Sequence, residues 1–590
     1  MNDMAAGARL RPVDERTFVT HDGVELFYRH WPAVSGPARG AIALFHRGHE
    51  HSGRMAHLVG ELALPDVAFF AWDARGHGRS PGERGDSPSF MDVVRDVQAF
   101  VDHLYEAHRV ATGDLAVVAQ SVGAVAVATW VHDYAPPIRA MVLASPAFEV
   151  KLYVPFALPG LRLVRAVRGN FFVQSYVKAR FLTRDAERIA SYETDPLLSK
   201  QISVNVLLGL QDAADRVVAD AAAITVPTQL LVSGADWVVR HEPQHRFFDR
   251  LAAPVKERHV LHGFLHDTLG ERDRPRAVAL ARDFLVRAFD APPPPPDLAH
   301  ADRYGHTREE ADALAAPLPA HSPRAWRWAA TRAALRLGGK LADGVGIGQT
   351  TGFDSGSSLD YVYRDRAGGR TPLGRAIDRH YLDAIGWRGI RRRKLDVEAL
   401  LRDAARQLRD AGLPVNVLDV AAGHGRYVLD AFGGDVHADA IVLRDYDAGN
   451  VAQGRALIAA RGLGRFARFE QGDALDRAGV ATTLPRPTLG VVSGLYELLP
   501  DNAPVRQSLA GLADAIAPGG FLVYTGQPWH PQLELIARAL TSHRGSAWVM
   551  RRRTQGELDQ LVAAAGFRKV AQRIGDSGIF TVSLAQRAEP

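Results

Sequence analysis

Short apolar runs alternate with longer amphipathic stretches through the first half of the chain. The runs GAIALFH, VAFFAWD, LAVVAQS, AMVLAS and TQLLVSGAD carry almost no charge, which is typical of strands buried on both faces. Between them, SFMDVVRDVQAFVDHLYEAH repeats apolar residues at helical spacing. The shorter run ERHVLHG predicts a last strand. This alternation predicts an α/β domain over residues 1–290, with a mostly parallel sheet covered by helices on both faces.

Residues 148–215 interrupt that rhythm. The stretch VKLYVPFALPGLRLVRAVRGNFFVQSYVKARFL mixes apolar with basic residues and predicts an inserted helical cap. Two interpretations stay open for this cap. It is either a solvated helix pair, or a lid that meets a lipid surface or binds an acyl chain.

A second alternating pattern fills the other half. A helix is predicted over 395–411, followed by the strands VNVLDVA, DAIVLRDY, ARFEQGD, LGVVSG and GFLVYTG. The glycine- and serine-rich stretch GIGQTTGFDSGSSLDYVYRDRAGG before it predicts an irregular lead-in. We therefore expect a second doubly wound α/β domain over 326–590.

The two patterns are separated by residues 291–325. Five consecutive prolines, 292–296, cannot enter a helix interior or a central strand, and they favour an extended conformation. The residues that follow are rich in Ala, Pro, His and charge. We expect a semi-rigid linker here.

Composition narrows the class of protein. The chain has 590 residues, which is too long for one hydrophobic core, and its formal net charge of +5 gives no reason to expect nucleic-acid binding. It contains no cysteine, so disulfides and thiolate metal sites are excluded. We find neither a secretory signal nor a run long enough to span a membrane, and we expect a bacterial-type cytoplasmic protein, at most peripheral to the inner membrane.

The stretch AQSVG places Ser121 between a strand and a helix. A nucleophile elbow is usually G-x-S-x-G, and Ala119 stands where the first glycine is usual. Asp236 ends the strand TQLLVSGAD, and His266 follows the last short strand, so the order Ser, Asp, His suits a serine hydrolase. We predict that Ser121 is the nucleophile and treat Ala119 as a tolerated variation.

Residues of about 15–290 resemble the monoacylglycerol lipase and lysophospholipase branch of the α/β-hydrolases, which is serine aminopeptidase S33-like. HRGHEHSGR, at 46–54, resembles the oxyanion loop of that family, and DARGHGRSPGERG, at 73–85, its second signature loop. The resemblance implies that the backbone N–H groups of Gly48 and Val122 form the oxyanion hole. Arg47 replaces a glycine of the family. We expect a cation at the mouth of the site there, favouring an anionic or phosphate-bearing substrate.

The stretch VNVLDVAAGHGRYVLDAF has the pattern strand, glycine turn, helix. A dinucleotide site would need G-x-G-x-x-G, and here Val428 stands at the third glycine. An S-adenosylmethionine site is favoured instead, with small residues alternating after an acidic strand end. Asp445, 20 residues after Gly425, can accept both ribose hydroxyls, and Asp473 can face the adenine amine. The predicted cofactor-binding residues are Asp419, Ala421, Gly423, Gly425, Asp445 and Asp473.

This half resembles a methyltransferase family that is often fused to such hydrolases, and APGGFLVYTG has the Pro-Gly-Gly turn common in class I methyltransferases with their Rossmann-like fold. The methyl acceptor and its base stay open. The residues expected to face the acceptor are Tyr496, Glu497, Gln527, Trp529, His530 and His543. Arg551–Arg553 and the upstream RGIRRRK are either solvated charge or a site for an anionic acceptor.

These observations predict a bifunctional enzyme: a serine hydrolase of lipid-like esters fused to a methyltransferase that uses S-adenosyl-L-methionine. The expected partner is a lipid-like small molecule, with peripheral membrane contact through the cap and with no nucleic acid or metal. The alternative is a methyltransferase whose hydrolase-like half is a catalytically silent lipid-binding module.

Overall fold

The computed structural model describes residues 11–588, and the chain divides into two compact units, Met1–Pro296 and Asp297–Pro590. Each unit is built around its own main sheet with helices on both faces. The two-domain α/β architecture is therefore confirmed. Each of the five long apolar strands predicted for either half is present.

The first unit contains one eight-stranded sheet and a small two-stranded one. Its strands are β1 (Asp14–Val19), β2 (Glu25–Trp31), β3 (Gly40–Phe45), β4 (Val67–Trp72), β5 (Leu115–Gln120), β6 (Ala140–Ala144), β7 (Phe172–Gln174), β8 (Gln201–Ser203), β9 (Thr228–Ser233) and β10 (Lys256–Leu261). The large sheet has the order β1-β2-β4-β3-β5-β6-β9-β10, and it is parallel from β4 onward. Strands β1 and β2 add antiparallel pairs at one edge.

The first unit has helices on both faces of this sheet and in the insertion. They are α1 (His57–Glu61), α2 (Phe90–His108), α3 (Val122–Tyr134), α4 (Ala157–Arg168), α5 (Ala186–Thr194), α6 (Val204–Ala219), α7 (His241–Arg250) and α8 (Pro275–Asp290). Every position of the inner strands β3, β4, β5, β6 and β9 is buried, as parallel strands between two helical layers require. The apolar runs without alternation thus have a direct structural cause.

The cap is shorter than the sequence suggests. Helices α4 and α5 and the pair β7–β8 lie in the predicted insertion, but α6 packs against α2 and α3 in the main helical layer. The apolar side of α6 is buried there, whereas no residue of α4 is buried. The insertion therefore ends near residue 203 rather than at 215.

The second unit contains a seven-stranded mixed sheet. Its strands are β11 (Asn416–Asp419), β12 (Ala440–Asp445), β13 (Ala467–Gln471), β14 (Leu489–Val492), β15 (Phe521–Gly526), β16 (Phe567–Ile574) and β17 (Thr581–Arg587). The order is β13-β12-β11-β14-β15-β17-β16, with β17 antiparallel to both of its neighbours. The chain reverses its direction of travel across the sheet between β11 and β14. In open α/β sheets, ligands bind outside the carboxyl ends of the strands at this switch point.

Twelve helices belong to the described part of the second unit. They are α9 (His306–Ala315), α10 (Pro323–Gly338), α11 (Asp343–Thr351), α12 (Gly356–Arg364), α13 (Pro372–Leu382), α14 (Ile385–Asp410), α15 (Arg426–Ala431), α16 (Ala448–Ala460), α17 (Arg477–Ala481), α18 (Asn502–Ala515), α19 (Leu533–Ala539) and α20 (Gln555–Ala564). The helix expected over 395–411 is the second half of the longer α14.

Two sequence expectations differ from the structure in this unit. The lead-in is helical: Ser355 caps α12 by accepting a hydrogen bond from Ser358 N–H, and Phe353, Tyr361 and Val362 pack in a small core. The expected linker is also shorter, because Asp302 accepts a hydrogen bond from Asn502 N–H (2.8 Å) within the second unit. The sequence did not predict the helical lead-in because it is rich in glycine and serine. It did not predict the short linker because those residues are polar. The structure of both segments depends on partners that are distant in sequence.

Candidate active sites

Ser121 lies on a sharp turn between β5 and α3. Its backbone φ is 55°, a strained value for a residue with a side chain, and the residue is buried. A Cβ on Gly123 would lie 2.4 Å from the carbonyl oxygen of His46, so only glycine fits there. Ala119, by contrast, is an ordinary fully buried strand residue that pairs with Phe45 and Leu143. The elbow therefore needs the glycine at 123 and tolerates the methyl group at 119.

The structure brings Ser121, His266 and Asp236 together. His266 Nε2 lies 2.8 Å from Ser121 Oγ, and His266 Nδ1 lies 2.7 Å from Asp236 Oδ2. The other carboxylate oxygen of Asp236 accepts hydrogen bonds from the backbone N–H groups of Val238 (2.7 Å) and Val239 (3.1 Å). Because those N–H groups hold the carboxylate, it keeps the histidine oriented with Nδ1 protonated and Nε2 facing the serine.

The pKa of Asp236 lies below its ordinary value. Burial alone would raise it, but the charge and hydrogen bond of His266, with the two backbone N–H groups, outweigh burial. Asp236 is therefore ionised at neutral pH, which is the state needed to stabilise an imidazolium.

Gly48 and Val122 are neighbours beside the serine. A Cβ on Gly48 would lie 3.0 Å from Val122 Cγ2. Within residues 11–588, neither backbone N–H donates a hydrogen bond to a protein acceptor. Two uncommitted donors beside a nucleophile are what an oxyanion hole requires.

The expectation for Arg47 was wrong. Its side chain is buried rather than at the mouth of the site, and its guanidinium donates to Glu50 Oε1 (2.7 Å). Burial would lower the pKa of Arg47, but the charges of Glu50 and Asp267 raise it. Arg54 Nε shares Glu50 Oε1 (2.7 Å). Because this cation is already neutralised by protein carboxylates, it is not a free site for an anionic substrate.

Sequence reasoning missed Asp267, which ties this network to the elbow. Gln120 Nε2, beside the nucleophile, donates to Asp267 Oδ1 (2.9 Å), and Arg188 Nε of the cap donates to Asp267 Oδ2 (3.0 Å). Burial would raise the pKa of Asp267, but these cationic and amide partners hold it well below its ordinary value. The only sequence signal was an acidic residue directly after the predicted base.

In the second unit, the glycine turn connects β11 to α15 and lies at the switch point of the sheet. Gly423 and Gly425 have φ values of 56° and 73°, and a Cβ on Gly425 would lie 2.3 Å from Leu443 Cδ1. Ala421 N–H donates to Asp419 Oδ1 (3.2 Å), which starts the turn. The backbone conformation therefore requires glycine at both 423 and 425, whereas position 421 accepts alanine.

The carboxylates expected to bind the cofactor lie along the same edge. Asp445 Oδ2 accepts a hydrogen bond from Gly423 N–H (2.9 Å), and Asp445 Oδ1 accepts one from Asn450 Nδ2 (3.2 Å). Burial raises the pKa of Asp445, and it raises the pKa of Asp419 to about 7. Asp473 follows β13 at the same edge and is exposed. A backbone cradle flanked by carboxylates at strand ends fits a nucleoside ligand with hydroxyl and ammonium groups.

The residues expected to face the acceptor separate into two groups. Glu497 follows β14, where Oε1 accepts from Thr525 Oγ1 (2.9 Å) and from Arg393 Nη1 (3.4 Å); Gln527 and His530 follow β15 and are buried. Tyr496 instead donates to Ser508 Oγ (3.2 Å) within the core.

Two further expected residues have partners elsewhere. The guanidinium of Arg552 lies over the ring of Trp529, 5.8 Å from the ring centre. His543 Nδ1 lies 2.8 Å from Asp354 Oδ2.

Arg393 was not predicted individually as a site residue. It belongs to RGIRRRK, yet it falls on the apolar stripe of α14 between Ile390 and Val397 and is buried. A cation on an apolar helical stripe was the signal that could have identified it.

Arg551–Arg553 form neither a solvated run nor an anion site. Arg551 donates to Glu557 Oε1 (2.6 Å) and to Asn502 Oδ1 (3.0 Å), and Arg553 donates to the carbonyls of Tyr496 and Leu499. All three arginines are buried. Arg552 donates to Glu310 Oε2 (2.5 Å) and to the carbonyl of Pro528 (2.9 Å). All three arginines thus donate to protein acceptors, so their role is structural.

Within residues 11–588, only His21, Asp22 and Asp96 converge as metal ligands would, but the Arg75 guanidinium binds both carboxylates. No helix in this range combines the length and apolar character needed to cross a bilayer.

Family models match both halves of the chain. The family model described as "Putative methyltransferase" matches residues 281–587, and the model for serine aminopeptidase, S33, matches residues 36–273. The Escherichia coli protein YnbC, described as uncharacterized, is 54% identical over 98% of both chains.

Several relatives of the first half are named as lipases. Mouse monoglyceride lipase is 31% identical over 37% of this chain and 72% of its own, and Mycolicibacterium smegmatis monoacylglycerol lipase is 26% identical over 44% and 92%. A solved monoacylglycerol lipase from Paleococcus ferrophilus covers 45% of this chain and 99% of its own, with a TM-score of 0.41 and 24% identity. By the two family models and the mouse relative, the chain belongs both to the S33 serine aminopeptidase hydrolase family, through its first half, and to the family described as "Putative methyltransferase", through its second.

Proposed function

We propose that the protein is a bifunctional enzyme whose first unit hydrolyses lipid-like esters and whose second transfers a methyl group from S-adenosylmethionine. The observation that carries the hydrolase proposal is the continuous chain from Ser121 Oγ through His266 to Asp236 on a strained turn. Ser121 attacks the ester carbonyl while His266 Nε2 takes its proton. The N–H groups of Gly48 and Val122 stabilise the oxyanion, and His266 then protonates the leaving alcohol.

The substrate class is supported by the relatives and by the cap. Two relatives of the first half are named for monoglyceride or monoacylglycerol lipase activity. In the cap, Phe156 and Val167 are 86% and 84% exposed, and Arg165 and Arg168 lie in the last turn of α4. Exposed apolar residues with basic neighbours suit contact with acyl chains and anionic headgroups.

A fluorophosphonate probe tests the hydrolase proposal. The full-length protein should be labelled and should hydrolyse p-nitrophenyl esters of fatty acids; Ser121→Ala should abolish both, and the exposed-site control Ser35→Ala should change neither. Absence of labelling, or labelling that survives Ser121→Ala, would refute the proposal. Lipid binding without labelling would instead favour a catalytically silent lipid-binding half.

Peripheral membrane contact through α4 is part of the proposal. Vesicles of phosphatidylglycerol should co-sediment the protein, and the double change Phe156→Ser with Val167→Ser should reduce the bound fraction. Val34→Ser, at another exposed valine, is the matched control. Equal sedimentation of all three proteins would remove the membrane contact and leave the esterase proposal intact.

For the second unit, the fit of the switch-point cradle supports S-adenosylmethionine as the cofactor. Asp445 would accept the ribose hydroxyls, Asp473 would face the adenine, and Asp419 with the turn of Gly423 and Gly425 would hold the amino-acid end. The cofactor supplies an electrophilic methyl group on a sulfonium. The protein's part is to align an acceptor with that carbon and to receive any proton the acceptor loses.

Calorimetric titration with S-adenosylmethionine and with S-adenosylhomocysteine tests this assignment. We expect one binding site per chain, weakened at least about tenfold by Asp445→Ala because two ribose hydrogen bonds are lost. Asp410→Ala, at an exposed position at the end of α14, is the control and should bind as the unmodified protein does. Failure of the unmodified protein to bind either compound would remove the methyltransferase proposal.

A further inference from the structure

A cavity of about 310 Å³ lies inside the second unit, between helices α10, α13, α14 and α19. Its walls are mainly apolar and include Leu335, Ile377, Trp387, Ile390, Ile536 and Trp548. An apolar cavity of about 150 Å³ accommodates benzene, so this one has room for about a dozen carbon atoms. Walls of this kind, with a small number of polar groups, suit a mainly apolar ligand.

One end of the cavity reaches the switch-point edge of the sheet. Gly494 and Glu497, which follow β14, and Gln527, which follows β15, line the cavity. They lie at the same edge as Asp419 and the turn of Gly423. The apolar chamber therefore adjoins the proposed cofactor site and occupies the position of an acceptor pocket.

Three polar atoms at this end have no hydrogen-bond partner among the described residues: Glu497 Oε2, Gln527 Nε2 and Arg393 Nε. All three side chains are more than nine-tenths buried. A buried polar atom without a partner costs about 1–3 kcal/mol, so such a cluster indicates a ligand that supplies the missing bonds.

His530 adds a donor to the same wall. Its Nδ1 accepts a hydrogen bond from Gln532 N–H (3.0 Å), so the neutral ring carries its proton on Nε2. Burial lowers the pKa of His530 to about 4, which keeps the ring neutral at physiological pH. The end of the cavity thus presents one anionic acceptor and several donors.

This set matches a hydroxyl group better than a carboxylate. A hydroxyl can donate to Glu497 Oε2 and accept from Gln527 Nε2 or His530 Nε2 at the same time. A carboxylate cannot donate, and its charge would be repelled by Glu497 across a poorly solvated gap. We infer that the methyl acceptor is an apolar alcohol, with its chain in this cavity and its hydroxyl at Glu497.

The step that follows rests on the proposed methyltransferase function. The acceptor oxygen forms a bond to the methyl carbon, the electron pair of the broken S–C bond stays on sulfur, and the hydroxyl proton passes to Glu497 Oε2. The products are a methyl ether and a thioether, with Glu497 protonated until it releases the proton. Arg393 and Thr525, which contact Glu497 through Oε1, orient the carboxylate.

Binding can be measured without turnover. We would titrate the full-length protein with 1-dodecanol and with dodecanoate at pH 8, following tryptophan fluorescence because Trp387 and Trp548 line the cavity. Leu535→Arg places a charged side chain in the cavity wall, and Leu373→Arg, at a leucine that is 63% exposed, is its matched control. The cavity component is the part of the signal that Leu535→Arg removes.

We expect that component to saturate with 1-dodecanol, to survive in Leu373→Arg, and to be at least about tenfold weaker with dodecanoate. Glu497→Gln should strengthen dodecanoate binding, since Arg393 then faces the ligand without its counter-charge. A signal unchanged by Leu535→Arg, or a preference of the unmodified protein for dodecanoate, would overturn the inference. Calorimetry with S-adenosylmethionine on the same proteins reports separately on the proposed function, because cofactor binding does not require the apolar wall.

Discussion

Replacing Asp236 by asparagine should disable the hydrolase by reversing one hydrogen bond. The carboxylate Oδ1 accepts from Val238 and Val239 N–H, so the amide oxygen of the variant must take that position. Its NH2 group then points at His266 Nδ1, 2.7 Å away, and can only donate. The histidine is forced into the tautomer with the proton on Nε2, which cannot accept the proton of Ser121.

The expected loss follows from that tautomer. In serine hydrolases the equivalent change lowers kcat about 10⁴-fold, which corresponds to about 5.4 kcal/mol of transition-state stabilisation. The assay is steady-state hydrolysis of p-nitrophenyl esters by the full-length protein, with the rate of fluorophosphonate labelling as a second readout. Asp249→Asn, at an exposed site, should stay within about twofold, as surface changes usually do. A D236N enzyme within tenfold of the unmodified rate would refute the role assigned to Asp236.

Three further outcomes are expected. Gly123→Ala should lower esterase activity at least about 100-fold, because the new Cβ would lie 2.4 Å from the His46 carbonyl oxygen beside the oxyanion loop. Ala119→Gly should leave the rate within about threefold. Equal effects of the two changes in the same assay would contradict the elbow argument. Since the folded pKa of Asp419 is raised to about 7, its protonated form stabilises the fold at low pH, and this contribution is lost as pH rises from about 4 through 7. Asp419→Asn should therefore raise the Tm of the second unit more at pH 8 than at pH 5 in calorimetric scans; the reverse order would disprove the assignment. Arg551→Ala should destabilise the second unit by about 3–5 kcal/mol in denaturant unfolding, because the buried Glu557 would lose the guanidinium that donates to both of its carboxylate oxygens. Arg544→Ala, at an exposed site, should change little, and similar curves for both variants would show that the ion pair is not structural.

The order and type of the main elements could be predicted from local pattern. Strands buried between two helical layers are apolar at nearly every position, so their signal lies within about six residues, as in β5 and β15. The helices α11 and α12 were missed because their stability comes from packing by Phe353, Tyr361 and Val362 rather than from intrinsic propensity. The antiparallel strands β1, β2, β16 and β17 were also missed. In the two that lie at sheet edges, β1 and β16, most positions are exposed or half-buried, so neither has a continuous apolar run.

The candidate catalytic residues could be predicted from the sequence for the same reason as the strands. Ser121, Asp236, Asp419 and Asp445 directly end or follow apolar strands, and parallel strands bring their carboxyl ends to one edge. The charged residues off the strands were harder. Arg47 and Arg551 look like surface cations in the sequence, and only the fold shows that Glu50 and Glu557 neutralise them.

The sequence by itself therefore determined the two α/β units, the order of the nucleophile, acid and base, and the glycine turn, because each depends on residues close together in the chain. The tertiary structure alone decided which charges are buried, how short the cap and linker are, and that an apolar chamber ends at Glu497, Gln527 and Arg393. The chamber lies between α10, α13, α14 and α19, which are up to about 200 residues apart in the chain. Burial and electrostatic pairing are sums over such distant neighbours, so no local pattern can report them.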